Sequence, residues 1–162
     1  MSEIDVRIVT LQPTRVASTY GFGGGPEKIA WKKMIDFVKS KGLDRDGQVH
    51  RYLGFNNPNP APGSPNYGYE QWVTVEPGTL GSNLVTVKPF SGGRYAVMDC
   101  MGLPMPDKWA KLVQWVQDGP YEMEIRPCLE ECLTPEYLFE PASMPDQVDE
   151  ALHFLLYLPI RE

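Results

Sequence analysis

Val9-Thr10-Leu11-Gln12-Pro13, then Arg15-Val16-Ala17, then Trp31-Lys32-Lys33-Met34-Ile35-Asp36-Phe37-Val38 form a run that the chain states twice. It recurs as Val85-Thr86-Val87-Lys88-Pro89, Arg94-Tyr95-Ala96 and Trp109-Ala110-Lys111-Leu112-Val113-Gln114-Trp115-Val116. The offset moves only from 76 to 79 to 78 residues, and small changes at turns, such as the extra Ser91-Gly92-Gly93, absorb the drift. A strand, a strand and a helix therefore recur in order. Two such halves pack as one pseudo-symmetric domain, and a groove between like halves is a natural place for a ligand. Positions where the copies differ are where function is expected.

Working outward, Val6 to Leu11 and Arg15 to Phe22 read as two strands joined by a short turn at Gln12-Pro13-Thr14. Pro26 opens a helix, since a proline in the first turn lacks an N–H that would have had no partner there. Trp31, Met34, Ile35 and Val38 fall at helical spacing opposite Lys32, Lys33, Asp36 and Lys39, and Gly42 closes the helix. Gln48 to Phe55 reads as a strand, and residues 56–66, dense in Pro, Asn and Gly, form a long loop. Tyr67 to Val75 follows as a strand. The second half predicts strands near Asn83 to Val87 and Arg94 to Met101, then a helix from about Pro106 to Gln117. Strands near Met123 to Arg126, Leu129 to Thr134 and Leu152 to Ile160 complete it, with a long loop over 135–149. The fold class is α+β: two β-β-α-β-β halves, about 4–77 and 82–161, in a single domain spanning 1–162.

At 162 residues the chain can bury roughly two-thirds of its unfolded surface without disulfides. The N-terminal residues have neither a basic start nor an apolar run, and no stretch approaches the ~20 apolar residues of a membrane span. The expectation is a soluble, cytoplasmic protein. Three cysteines fit a reducing compartment. Cys128 and Cys132, four apart in an apparent strand, would stand about 13 Å from each other, too far for a shared bond, and neither a metal site nor a cofactor is expected. Net charge is −6 with the basic residues dispersed, so a phosphate-binding surface is missing and no direct nucleic-acid contact is expected. The acidic balance favours a cationic small molecule over an anionic one.

Glu130 is the outstanding residue for chemistry. In Cys128-Leu129-Glu130-Glu131-Cys132 two carboxylates hold adjacent places in a strand and so point to opposite faces. One can face the interior, where a carboxylate needs a partner, a proton or a task. Aligning the repeats sets Leu53-Gly54-Phe55 against Leu129-Glu130-Glu131, an acid where the other copy offers empty space. The last strands align Glu70-Gln71-Trp72 with Leu155-Leu156-Tyr157, which makes Trp72 and Tyr157 pseudo-symmetric aromatics able to sandwich a flat ligand. A cation against such a ring gains ~0.5–2 kcal/mol. Phe55, Tyr52, Tyr69 and Tyr137 are further candidates, whereas Trp31, Trp109 and Trp115 read as helix faces packed on the sheet. Hydrolase, P-loop and zinc-protease motifs are absent from the sequence. His50 and His153 lack an obvious acid partner and read as satisfied surface or edge histidines.

Arg94-Tyr95-Ala96-Val97-Met98, the Trp109 helix, Leu129-Glu130-Glu131-Cys132 and Leu156-Tyr157-Leu158-Pro159-Ile160 together resemble the GyrI-like small-molecule-binding domain of the AraC-type effector-binding superfamily. Gly54-Phe55-Asn56-Asn57-Pro58 and Tyr69 to Val75 extend the likeness over almost the whole chain. The resemblance implies a pseudo-two-fold curved antiparallel sheet with two helices and a central ligand groove. It also implies a sensor of lipophilic cations built from aromatics around one glutamate, matched by Glu130 and Tyr157. Cys132 departs from the tyrosine common in the family. Regulators of this kind add a DNA-binding region, for which no residues remain, so a free-standing member is expected. The leading expectation is a non-enzymatic small-molecule binder. Its rivals are a hydrolase of strained cyclopropane compounds with Glu130 directing water, and an inhibitor of a protein partner resembling the gyrase-inhibitory namesake.

Overall fold

The computed structural model describes residues 4–143 and 145–162. Its elements are, in chain order, β1 (Val6–Leu11), β2 (Thr14–Gly23), α1 (Pro26–Lys41), β3 (Tyr52–Asn56), β4 (Tyr67–Val75), β5 (Thr86–Phe90) and β6 (Gly93–Met101). There follow α2 (Pro106–Asp118), β7 (Leu129–Cys132), α3 (Pro135–Phe139), a 3-10 turn (Pro141–Ser143), α4 (Val148–Ala151) and β8 (His153–Pro159). The fold is α+β and duplicated, as the repeat predicts.

One compact unit is Thr14–Phe90, with antiparallel strands in the order β3-β4-β2-β5. Helix α1 starts after Gly25 in the left-handed region, φ 74°, and ends at Gly42, φ 70°, whose N–H bonds to the Lys39 carbonyl at 3.2 Å. It buries Ala30, Met34, Phe37 and Val38 on one face of the strands. Close approach depends on Gly21 in β2: a methyl there would stand 2.8 Å from Ile29 Cβ and 3.0 Å from the Ala30 nitrogen. The second unit joins the segment ending at Pro13 to Ser91–Glu162, in the order β1-β6-β8-β7. Leu112 and Val116 of α2 are fully buried in it.

The first strand of each repeat is therefore exchanged: β1 pairs with β6, and β5 pairs with β2. The register also corrects the alignment at that strand. Lys88 opposes Val16 and Val9 opposes Tyr95, so Lys88 corresponds to Val9, and the shared Val-Thr pairs of the sequence are not equivalent positions. Farther on, Leu53 opposes Trp72 just as Leu129 opposes Tyr157, the correspondence that the sequence predicts.

Other expected elements change at their ends. The strand expected from Gln48 starts only at Tyr52, because side-chain bonds claim the preceding turn. Asp46 accepts from the Gln48 N–H at 2.9 Å and pairs with His50 Nε2 at 2.7 Å, a local alternative to the strand ladder. The strand expected at Asn83 to Val87 lies at Thr86–Phe90. Met123 to Arg126 is no strand: it has a single bridge, Met123 with Ile160, and Arg126 turns inward to donate to the carbonyls of Arg94 (2.8 Å) and Ile160 (3.1 Å). The segment expected as a loop over 135–149 carries α3, the 3-10 turn and the start of α4. No described helix is long and apolar enough to cross a membrane.

Candidate functional site

Residues directly opposed on antiparallel strands share a face, so the register sorts every candidate. In Thr14–Phe90, Thr19 donates to the Ala30 carbonyl of α1 at 2.8 Å and opposes Gln71. Tyr52, Gly54, Tyr69, Gln71 and Val73 thus share the face toward α1. Tyr52 stacks there on Trp31 at 5.8 Å. Gly54 does not leave empty space: a methyl on it would stand 2.6 Å from Tyr69 Cζ and 2.8 Å from Gln71 Oε1. Two of the expected ligand residues, Tyr52 and Tyr69, are packing against this helix side.

The opposite face carries Leu53, Phe55, Glu70, Trp72, Ser18, Lys88 and Phe90. The Trp72 ring meets Phe55 edge-on at 5.0 Å and Phe90 at 5.1 Å. Beside them Glu70, 7% exposed, is a carboxylate that the sequence reading passed over. Its Oε1 accepts from Trp72 Nε1 at 2.7 Å, from the Ser18 hydroxyl at 2.8 Å and from the Lys88 ammonium. Its Oε2 accepts from the Asn57 amide at 3.2 Å. Burial pushes this carboxyl up, but the bonds from Lys88, Trp72, Ser18 and Asn57 outweigh it and hold the group below its usual range. Asn57, first in the Pro/Asn-rich loop after β3, is fixed by its own N–H to the Gly68 carbonyl at 2.8 Å.

The second unit repeats this arrangement with the acid moved. Glu130 opposes Leu156 and receives Trp109 Nε1 of α2 at 3.5 Å, so it lies on the helix side. Cys132 shares that side, and burial pushes its thiol up to about 11. Glu131, not Glu130, shares the other face with Tyr157, and the Tyr157 hydroxyl donates to Glu131 Oε1 at 2.6 Å. Both residues are buried, at 5% and 2% exposure. Tyr157 meets Tyr95 edge-on at 5.7 Å, and the Arg126 guanidinium lies 4.6 Å from the Tyr95 ring centre. Tyr137 belongs to neither cluster; it sits on α3 and borders a cavity with Asp146 and Glu150.

Each unit thus holds a buried carboxylate bonded to the polar tip of the equivalent aromatic, Trp72 in one and Tyr157 in the other. The acids are exchanged across one opposed pair. Phe55 opposes Glu70, while the corresponding Glu131 opposes Leu155. Both histidines also have acid partners: His50 binds Asp46, and His153 Nε2 binds Asp99 at 2.8 Å. Among the described residues no group of three or more His, Cys, Asp or Glu side chains is placed to hold a metal ion.

The family model for the integron-associated effector binding protein, Cass2, matches residues 7–160. The chain belongs to this family. No curated protein sequence matches it. Among solved structures, the C-terminal domain of EcmrR is similar with TM-score 0.71 at 10% identity, covering 98% of each chain. In the EcmrR–DNA complex the same likeness spans 57% of the EcmrR chain. A hydrolase from Listeria innocua is similar with TM-score 0.64 at 13% identity, over 98% of this Cass2 family chain and 93% of the other. SAV2435 bound to tetraphenylphosphonium is similar with TM-score 0.51 at 13% identity, over 98% and 94%. At these identities the likenesses establish the fold.

Proposed function

We propose that this Cass2 family protein binds a small, partly apolar cation through the Glu131 carboxylate and the Tyr157 ring, without chemical conversion. The observation that carries the reading is the 2.6 Å bond from Tyr157 to Glu131 on the face turned away from α2. A buried carboxylate held by a phenol attracts a cation whose water has been stripped, and the adjoining Tyr95 and Tyr157 rings supply flat apolar contact. Effector binding is the family's described property, and the similar fold of SAV2435 has been solved with tetraphenylphosphonium. Trp72 and Phe55 offer an equivalent aromatic wall in the other unit. Since Glu131 and Tyr157 are almost inaccessible, binding is coupled to displacement of the side chains that cover them.

Calorimetric titration with tetraphenylphosphonium tests this. The wild type and Glu130→Gln should bind alike, whereas Glu131→Gln should lose at least tenfold in affinity. Equal binding by all three would remove Glu131 from the site, and a loss confined to Glu130→Gln would return the site to the helix side of β7.

A further inference from the structure

Lys88 is placed as a ligand would be. It stands on β5, the outer strand of Thr14–Phe90, and its side chain crosses β2 to reach Glu70 on β4. There the ammonium is bonded to Glu70 Oε1 and lies 5.4 Å from the Trp72 ring centre. A buried carboxylate under the charge and an indole face beside it are the two contacts by which proteins recognise alkylammonium groups. Besides Lys88, the carboxylate accepts from Trp72, Ser18 and Asn57, so three other donors orient the acceptor.

The occupant remains open to solvent along its stem. The Lys88 side chain is 38% exposed against 9% for Glu70, so its stem reaches in from solvent. A lysine head on a flexible four-carbon stem is strongly hydrated when it withdraws. In the other unit the corresponding position is Val9, which brings no charge to Glu131 and Tyr157.

We propose that the Thr14–Phe90 unit contains a second cation site, formed by Glu70, Trp72 and Phe90, for a protonated alkylamine, and that Lys88 is its built-in competitor. An amine enters by displacing the Lys88 head, which then projects into water. Lys88 thereby sets both the affinity of this site and its preference for ligands able to add apolar contact with Trp72 and Phe90. The site stands on its own residues, independent of Glu131.

The test uses n-butylammonium chloride with the full chain, read by calorimetry and by quenching of indole fluorescence. Lys88→Ala should bind roughly fivefold more tightly than the wild type, and its lowered Tm should recover in n-butylammonium but not in equal sodium chloride. Lys88→Ala/Glu70→Gln should lose the gain, whereas Lys88→Ala/Glu131→Gln should keep it, which separates this site from the one at Tyr157. If Lys88→Ala does not fold, Lys88→Gln serves in the same comparison. A folded variant that binds no more tightly than the wild type would overturn the proposal, as would a gain that survives Glu70→Gln or vanishes with Glu131→Gln.

Discussion

Replacing Glu70 by Gln keeps the shape of the side chain and an oxygen to accept from Trp72 and Ser18, but removes the charge. A bond to a charged group contributes about 1.5–3 kcal/mol and a neutral one about 0.5–1.5 kcal/mol. The two short bonds, at 2.7 and 2.8 Å, therefore weaken by about 1 kcal/mol each. The pair with Lys88, whose side chain is 38% exposed, adds no more than the ~1 kcal/mol of a surface ion pair. Relief from burying a charge works in the opposite direction, leaving a net loss of about 1–3 kcal/mol at pH 7. Urea unfolding should show the midpoint of Glu70→Gln lowered by roughly 1 M, given slopes of about 1–3 kcal/mol/M. Because the folded carboxyl lies below its ordinary value of 4.5, its stabilisation is fully present above that value. It disappears as the pH falls through the lower, folded value. The gap between wild type and variant should thus be constant from pH 8 to pH 6 and close below about pH 4.5. A gap that does not depend on pH, or a variant more stable than the wild type at pH 7, would refute this account of the cluster.

Tyr157→Phe keeps the ring against Tyr95 but removes the donor to Glu131, and should cost about 1.5–3 kcal/mol in chemical denaturation; a change below about 0.5 kcal/mol would show that the bond contributes nothing. Gly54→Ala forces a methyl against Tyr69 and should destabilise by about 1–3 kcal/mol. Most of that loss should vanish in the Tyr69→Ala background, whereas simple additivity would mean that Tyr69 does not fill the space over Gly54.

The duplication was legible because its markers are scaffold: Pro26 and Pro106 open the two helices, and Arg15 and Arg94 hold equivalent places on β2 and β6. Exchange of the first strands was not legible, since a turn such as Gln12-Pro13 reads alike whether the chain returns to its neighbour or leaves it. The register pairs Trp72 with Tyr157, but which of Glu130 and Glu131 shares their face depends on which face of β7 meets α2. A one-residue step inverts every face. The signal lay in the adjacent columns, Phe55 against Glu131 and Glu70 against Leu155, where an acid in each copy replaces an apolar residue in the other. Lys88 stayed hidden because its meaning depends on a contact across β2, from one strand to the next but one.

The most direct measurement is a crystal structure with tetraphenylphosphonium bound. The cation is expected against the Tyr157 ring, with its charge within about 6 Å of that ring's centre and beside the Glu131 carboxylate. A cation seated on the α2 side of β7 beside Glu130, or bound away from both carboxylates, would contradict this placement.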